Sequence, residues 1–216
     1  MKGLFITFEG PDGSGKTTQM RRLGKQLEAD GLDVVMTREP GGTAISDQIR
    51  EIILSPEHQE MMDQTEVLLY AASRAQHVHE VILPALARGS VVLCDRYIDA
   101  SIAYQGYGLG QDKKEIAAIN RFASSGLQPR RTYLLDVPVE VSRERLLARA
   151  NASGGAGLDR IEQKDIEYHG RVRDAFLLIA QTNAHRVLLV NAARTEDEIA
   201  ADIGTDCARL LKEESR

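Results

Sequence analysis

Residues 4–20 read LFITFEGPDGSGKTTQM. An apolar run over 4–8 gives way to Gly10-Pro11-Asp12-Gly13-Ser14-Gly15-Lys16-Thr17-Thr18, and helix-forming residues follow. The spacing is G-x-x-x-x-G-K-[ST], in the strand–loop–helix setting that a phosphate-binding loop requires. Glycine lets the backbone fold until its N–H groups converge on phosphate oxygens. The helix behind the loop adds the positive end of its dipole. In such a loop Lys16 reaches the β- and γ-phosphates of a nucleotide, and the Thr17 hydroxyl ligates Mg²⁺. The plainer alternative is a glycine-rich turn that binds nothing. The complete set of fixed positions and both flanking elements weigh against it.

Outward from the loop, strand-like runs occupy 4–8, 33–37, 91–94, 132–137 and 186–190. Helical patterns fill 16–29, 45–54, 64–88, 113–125, 139–150, 162–181 and 195–212. Strands alternating with helices predict an α/β fold, a parallel sheet with helices on both faces. No repeat or interdomain linker divides the chain, so residues 1–216 read as a single domain. One segment is compositionally unusual: residues 151–157 read NASGGAG, between Arg149 and Arg160. A tolerated surface insertion is one reading. A mobile lid over approximately 149–160 is the other, and it suits phosphoryl transfer because a lid excludes water as a competing acceptor.

The bulk numbers are those of an ordinary globular chain of 216 residues, 43% hydrophobic and 27% charged. A net charge of −5 argues against a broad nucleic-acid surface, though not against a local basic pocket. No apolar run has the length of a membrane span. The N-terminus begins with a strand-like segment rather than a signal peptide, and the two cysteines, Cys94 and Cys207, make no disulfide framework. A cytoplasmic location is the expectation.

Other charged clusters narrow the class. The guanine-reading N-K-x-D segment of GTP-binding switches is missing. The third strand ends Cys94-Asp95-Arg96-Tyr97. Asp95 there can hold Mg²⁺, directly or through water. Arg96 beside it points to a second anion near the first, unless the two form a structural ion pair. The second strand runs into Thr37-Arg38-Glu39-Pro40-Gly41-Gly42-Thr43. Strand ends of such a sheet converge on one crevice, so Arg38 can join Arg96 on an acceptor phosphate. The Glu39–Pro40 bond is a candidate for the cis form. Tyr70 and Arg74 share a helix face, as a stacking ring and a carbonyl-reading guanidinium would. Tyr70 in the core and Arg74 at the surface is the plainer reading. Ser101, Tyr104 and Gln105 form a polar cluster just past Arg96.

The chain resembles the thymidylate kinase family, in its bacterial form. The matching motifs are Phe8-Glu9-Gly10-Pro11-Asp12-Gly13-Ser14-Gly15-Lys16-Thr17-Thr18, Arg38-Glu39-Pro40-Gly41-Gly42-Thr43, Asp95-Arg96-Tyr97 and Leu158-Asp159-Arg160-Ile161-Glu162. They run in family order across the whole chain. The resemblance implies a P-loop kinase fold with a five-stranded parallel sheet, a homodimer, and transfer of a phosphoryl group from Mg·ATP to dTMP. It implies that Arg38 and Arg96 bind the dTMP phosphate, that Asp12 lies near its sugar, and that Tyr104 belongs to the dTMP pocket. It implies that Tyr70 stacks on thymine, Arg74 bonds its carbonyl, and Ser101 and Gln105 lie near base or sugar. It implies further that Asp95 and Glu162 lie near metal or phosphates, that Arg149 approaches ATP from the lid, and that Asn191 and Ala192 border the adenine. Positions 11–14 carry no Lys or Arg, unlike some relatives, which leaves Arg149 as the arginine for the transferring group. Rival readings are a small P-loop kinase with another acceptor, and a nucleotide-dependent switch.

Overall fold

The computed structural model describes residues 3–152 and 157–214. Five strands are present: β1 (Leu4–Glu9), β2 (Val34–Arg38), β3 (Val91–Asp95), β4 (Arg131–Asp136) and β5 (Val187–Asn191). They form one sheet in the order β2-β3-β1-β4-β5, and every pairing is parallel. From β1 the chain goes to one side for β2 and β3, then crosses to the other for β4 and β5. That reversal opens a crevice at the carboxyl ends of the central strands. The register brings Phe8, Arg38 and Asp95 to the same level at this edge.

Helices cover both faces because the strands are apolar on both. Leu4, Ile6, Phe8, Val91, Leu93, Tyr133 and Leu135 pack on α1 (Lys16–Ala29) and α9 (Glu196–Glu214). On the other face Phe5, Val92 and Cys94 meet Val78, Ile82 and Ala85, and Leu134 meets Val172, Ala175 and Phe176 of α8 (Ile166–Thr182). Successive strand side chains point to opposite faces, so each strand feeds both layers.

Four helical segments differ from expectation. The long helix over 64–88 is α3 (Asp63–His77), a π-helical turn at Val78–Ile82 and α4 (Leu83–Ala87). Pro84 supplies no N–H to the preceding turn, which is where the ladder shifts. Of its apolar residues Val67, Val78 and Ile82 are buried in the core, while Leu68 is exposed. The helix expected from residue 162 begins at Ile166, because the Asp165 carboxylate caps it by accepting the Tyr168 N–H at 2.7 Å. Two segments went unread in the sequence, α5 (Ile98–Ser101) and a π-helical run at Ile102–Gly108. Burial of Ala100, Ala103 and Tyr104 against α8 overrides the weak helix propensity of that glycine-containing stretch.

The remaining helices, α2 (Ala44–Leu54), α6 (Lys113–Ala123) and α7 (Val139–Ala152), lie within a few residues of their expected limits. Asn151 and Ala152 of the expected loop complete α7, and residues 153–156 lie outside the described residues. Among the described residues no helix is long and apolar enough to cross a membrane.

Candidate active site

The loop between β1 and α1 owes its shape to glycine. Gly10 has φ 133°, and a Cβ there would lie 2.2 Å from the Leu135 carbonyl oxygen. Lys16, the first residue of α1, is buried and folds back to donate to the Gly10 and Pro11 carbonyls at 3.1 and 2.8 Å. Burial, then the neighbouring Arg96, bring its ammonium down to about 8. The Thr17 hydroxyl donates to the Asp95 carboxylate at the end of β3.

Arg96 follows at φ 71°, an uncommon conformation for a residue with a side chain. Its guanidinium donates to the Gly10 carbonyl at 3.1 Å, to Asp12 at 2.6 Å and to the Tyr104 hydroxyl at 3.0 Å. Tyr104 in turn donates to Asp12 at 2.8 Å. Burial opposes the Asp12 charge, but Arg96 and Lys16 outweigh it and hold the carboxyl well below the usual carboxylate range. The Gly10 carbonyl thus accepts from both Lys16 and Arg96, the two cations assigned to different phosphates.

These groups line one cavity of about 580 Å³. Its wall holds Asp12, Gly13, Gly15, Lys16, Thr17 and Thr18 from the loop, Arg38 and Asp95 from strand ends, and Arg96. Tyr70, Arg74, Ser101, Tyr104, Gln105, Arg149 and Glu162 line it as well. Gly10, Pro11 and Ser14 shape the loop from behind and do not line it. Asn191 and Ala192 stand apart at the end of β5. Arg145 of α7 connects them to the loop, donating to Gly13 and Ala192 carbonyls, each at 3.3 Å.

The plainer reading of Tyr70 and Arg74 is reversed. Arg74 is 2% exposed and Tyr70 is partly exposed at the cavity wall. Arg74 donates from Nε to Glu39 at 2.7 Å, from Nη1 to Ser101 at 2.9 Å and to Asn120, and from Nη2 to the Tyr97 carbonyl at 3.0 Å. His77 holds the other Glu39 oxygen at 2.9 Å. The Glu39–Pro40 bond is cis, as expected. Arg38 is half exposed and pairs with Asp47 at 2.9 Å. Glu162 accepts from Arg149 at 2.5 Å and from the Asp159 N–H at 3.1 Å, so both its oxygens are engaged.

Several participants were not legible beforehand. Arg50 reaches the cavity wall and donates to the Pro40 carbonyl at 2.9 Å. Asp159 also lines it, with its carboxyl pushed up to about 6, chiefly by burial. Glu9 is fully buried, and its Oε1 accepts the Tyr97 and Ala100 N–H groups at 2.7 and 3.3 Å. Its Oε2 has no hydrogen-bond partner among the described residues. The contacts pin the turn that holds Arg96. In the sequence Glu9 was visible only as part of the Phe8-Glu9-Gly10 match, with no role attached.

Glu9 carries a pH signature. Burial, then the nearby Asp99, push its carboxyl up to about 8. A carboxyl raised on folding contributes stability that is complete below its ordinary value of 4.5 and is lost as pH rises through about 8. Thermal melts should therefore show Tm falling between about pH 4.5 and 8, and Glu9→Gln should flatten that fall. An equal decline in both proteins would remove Glu9 as its source.

A phosphate-binding loop at the switch point of a parallel sheet, facing a second cationic pocket in the same cavity, defines a P-loop phosphotransferase with two anionic substrates. The thymidylate kinase family model matches residues 8–203. A thymidylate kinase of Exiguobacterium sibiricum is 50% identical over 216 residues, covering 100% of this chain and 99% of the relative. One from Geotalea uraniireducens is 48% identical over 201 residues, covering 93% and 94%. The crystal structure of thymidylate kinase from Ehrlichia chaffeensis superposes with a TM-score of 0.77 at 33% identity, covering 98% of this chain and 99% of that one. The chain belongs to the thymidylate kinase family, and its fold is that of a P-loop kinase.

Proposed function

We propose that this enzyme transfers the γ-phosphoryl group of ATP directly to the phosphate of dTMP, giving ADP and dTDP for dTTP synthesis. The carrying observation is the single cavity in which Lys16 and Arg96 meet on one carbonyl oxygen. An acceptor phosphate oxygen is already anionic, so the reaction needs positioning and charge neutralisation rather than a strong base. It attacks the γ-phosphorus as the bond to the β–γ bridging oxygen breaks, and ADP leaves with that oxygen.

Lys16 and the loop amides hold the donor, and Arg145 is placed to steady the adenine side near Asn191 and Ala192. Arg96 and Arg38 align the acceptor phosphate, Asp12 and Tyr104 fix Arg96, and Tyr70 stacks on the base. Arg149 meets the transferring group from a lid over approximately 149–160, supported by its place at the cavity wall and its pairing with Glu162.

The residues fit Mg²⁺. Thr17 and Asp95 set a hydroxyl beside a carboxylate, both hard oxygen donors. Nucleotide-bound Mg²⁺ keeps waters and takes phosphate oxygens, so one carboxylate and one hydroxyl suffice. Bound there, the ion would neutralise charge on the β- and γ-phosphates. Glu162 belongs to the Arg149 pair in this arrangement. The proposal includes a single domain over residues 1–216, a cytoplasmic homodimer and no nucleic-acid partner; family resemblance supports the dimer.

The test is ADP production with Mg·ATP against dTMP, dUMP, UMP, dCMP, dGMP, GMP and AMP. Strong dTMP preference is expected, with dUMP poorer but used, because one methyl in an apolar pocket is worth only about 1–3 kcal/mol. Preference for another monophosphate would overturn the acceptor assignment. ADP production indifferent to every acceptor would overturn the transfer itself.

A further inference from the structure

Glu66 stands one helical turn before Tyr70 on α3 and is 1% exposed. It does not line the cavity, and no step above uses it. Its Oε1 accepts from Gln105 Nε2 at 2.9 Å, and its Oε2 from Arg160 Nη2 at 2.8 Å. Arg160 is turned inward, away from any role on the transferring phosphoryl. Its Nε donates to the Ile53 carbonyl at 2.8 Å and its backbone N–H to the Leu54 carbonyl at 3.0 Å. Glu66 is thus anchored from a fixed direction.

A carboxylate only accepts, so the amide facing it must present its NH₂. Gln105 then has its Oε1 left, and no donor among the described residues reaches that oxygen. Gln105 lines the cavity, so the wall gains a hydrogen-bond acceptor there. Arg74 also lines the cavity, and its Nη2 carries one hydrogen beyond the bond to Tyr97. An acceptor and a donor together match a base edge with an N–H next to a carbonyl, as in thymine and uracil. Cytosine presents the reverse, a ring nitrogen lone pair next to an amino group.

We propose that Glu66, held by Arg160, is a positioning residue for base choice: it fixes the Gln105 amide with its oxygen toward the acceptor nucleotide, so thymine and uracil fit and cytosine is rejected. The inference rests on the dTMP reading above. Removing the carboxylate frees the Gln105 amide to turn over and offer NH₂ to cytosine.

The experiment compares kcat/KM for dTMP and dCMP in the wild-type enzyme and in Glu66→Gln, which puts an amide in the same space. The dCMP-to-dTMP ratio should rise about tenfold or more, with the dTMP loss falling in KM rather than kcat. A ratio that does not move overturns the proposal, as does an equal fall for both nucleotides, the mark of a merely structural role. Should Glu66→Gln not fold, Glu66→Asp keeps the charge against Arg160 but shortens the reach, and the same rise is expected. A wild-type enzyme with no preference for dTMP over dCMP would instead overturn the dTMP reading, and it would show before any variant is made.

Discussion

Arg96→Ala should lower kcat/KM for dTMP by about 10²-fold or more, the size seen when one preorganised electrostatic donor is removed. In the proposed mechanism Arg96 is the cation that holds the acceptor phosphate. Asp12, Tyr104 and the Gly10 carbonyl hold its guanidinium in place before substrate arrives. Its backbone sits at φ 71°, a conformation that costs of order 1–3 kcal/mol and is held by Glu9 at Tyr97 and by the Arg96 N–H on the Phe8 carbonyl at 2.9 Å. Alanine at 96 keeps that backbone requirement and loses the charge, so lost rate reports the guanidinium. Arg96→Lys should recover only part of it, because an ammonium lacks the planar fork. Steady-state rates with dTMP varied at saturating ATP are the check. Turnover within a few-fold of wild type in Arg96→Ala would remove the acceptor clamp. Arg38→Ala should cost less, because Arg38 is half exposed and already paired with Asp47.

Lys16→Met should cost about 10²- to 10³-fold in kcat. Methionine matches the stem of lysine and fills the same buried space, so the loop should stay folded. The loss is the charge that the proposed mechanism sets next to the β- and γ-phosphates. In the structure the ammonium rests on the Gly10 and Pro11 carbonyls, which are ordinary acceptors that ATP phosphates can replace. The loss should fall on the donor side: kcat and ATP affinity drop, while dTMP binding measured without ATP changes little. A variant that loses dTMP binding as much as ATP binding would mean that Lys16 shapes the whole loop through Gly10.

Much of this site was legible in the chain because its signals are local. The phosphate loop is one contiguous stretch whose glycines have a backbone reason to be there, as Gly10 shows with its close approach to Leu135. Asp95 and Arg96 follow directly on an apolar strand, so placing the strand places the pair. Sixteen expected site residues, from Asp12 to Glu162, do meet in one cavity. Asn191 and Ala192 do not, because β5 is an edge strand at the far side of the sheet.

The illegible parts depend on partners remote in sequence. Arg74 looked like a surface residue because long charged side chains usually are. It is buried because Glu39, Ser101, Asn120 and the Tyr97 carbonyl come from four other segments to satisfy it. The segment over 98–108 carried no helical pattern, and packing against α8 made it helical.

By itself, the sequence determined the alternation of strands and helices, the phosphate loop and the residues able to grip two anions. Hydrophobic periodicity and backbone geometry act within a few residues, and they are written there. Only the tertiary structure decided the strand order β2-β3-β1-β4-β5, the inward turn of Arg74 and Arg160, and the carboxylates of Glu9 and Glu66 behind the site. A buried polar group must find its partner wherever the fold supplies one, and that choice is made by the whole chain at once.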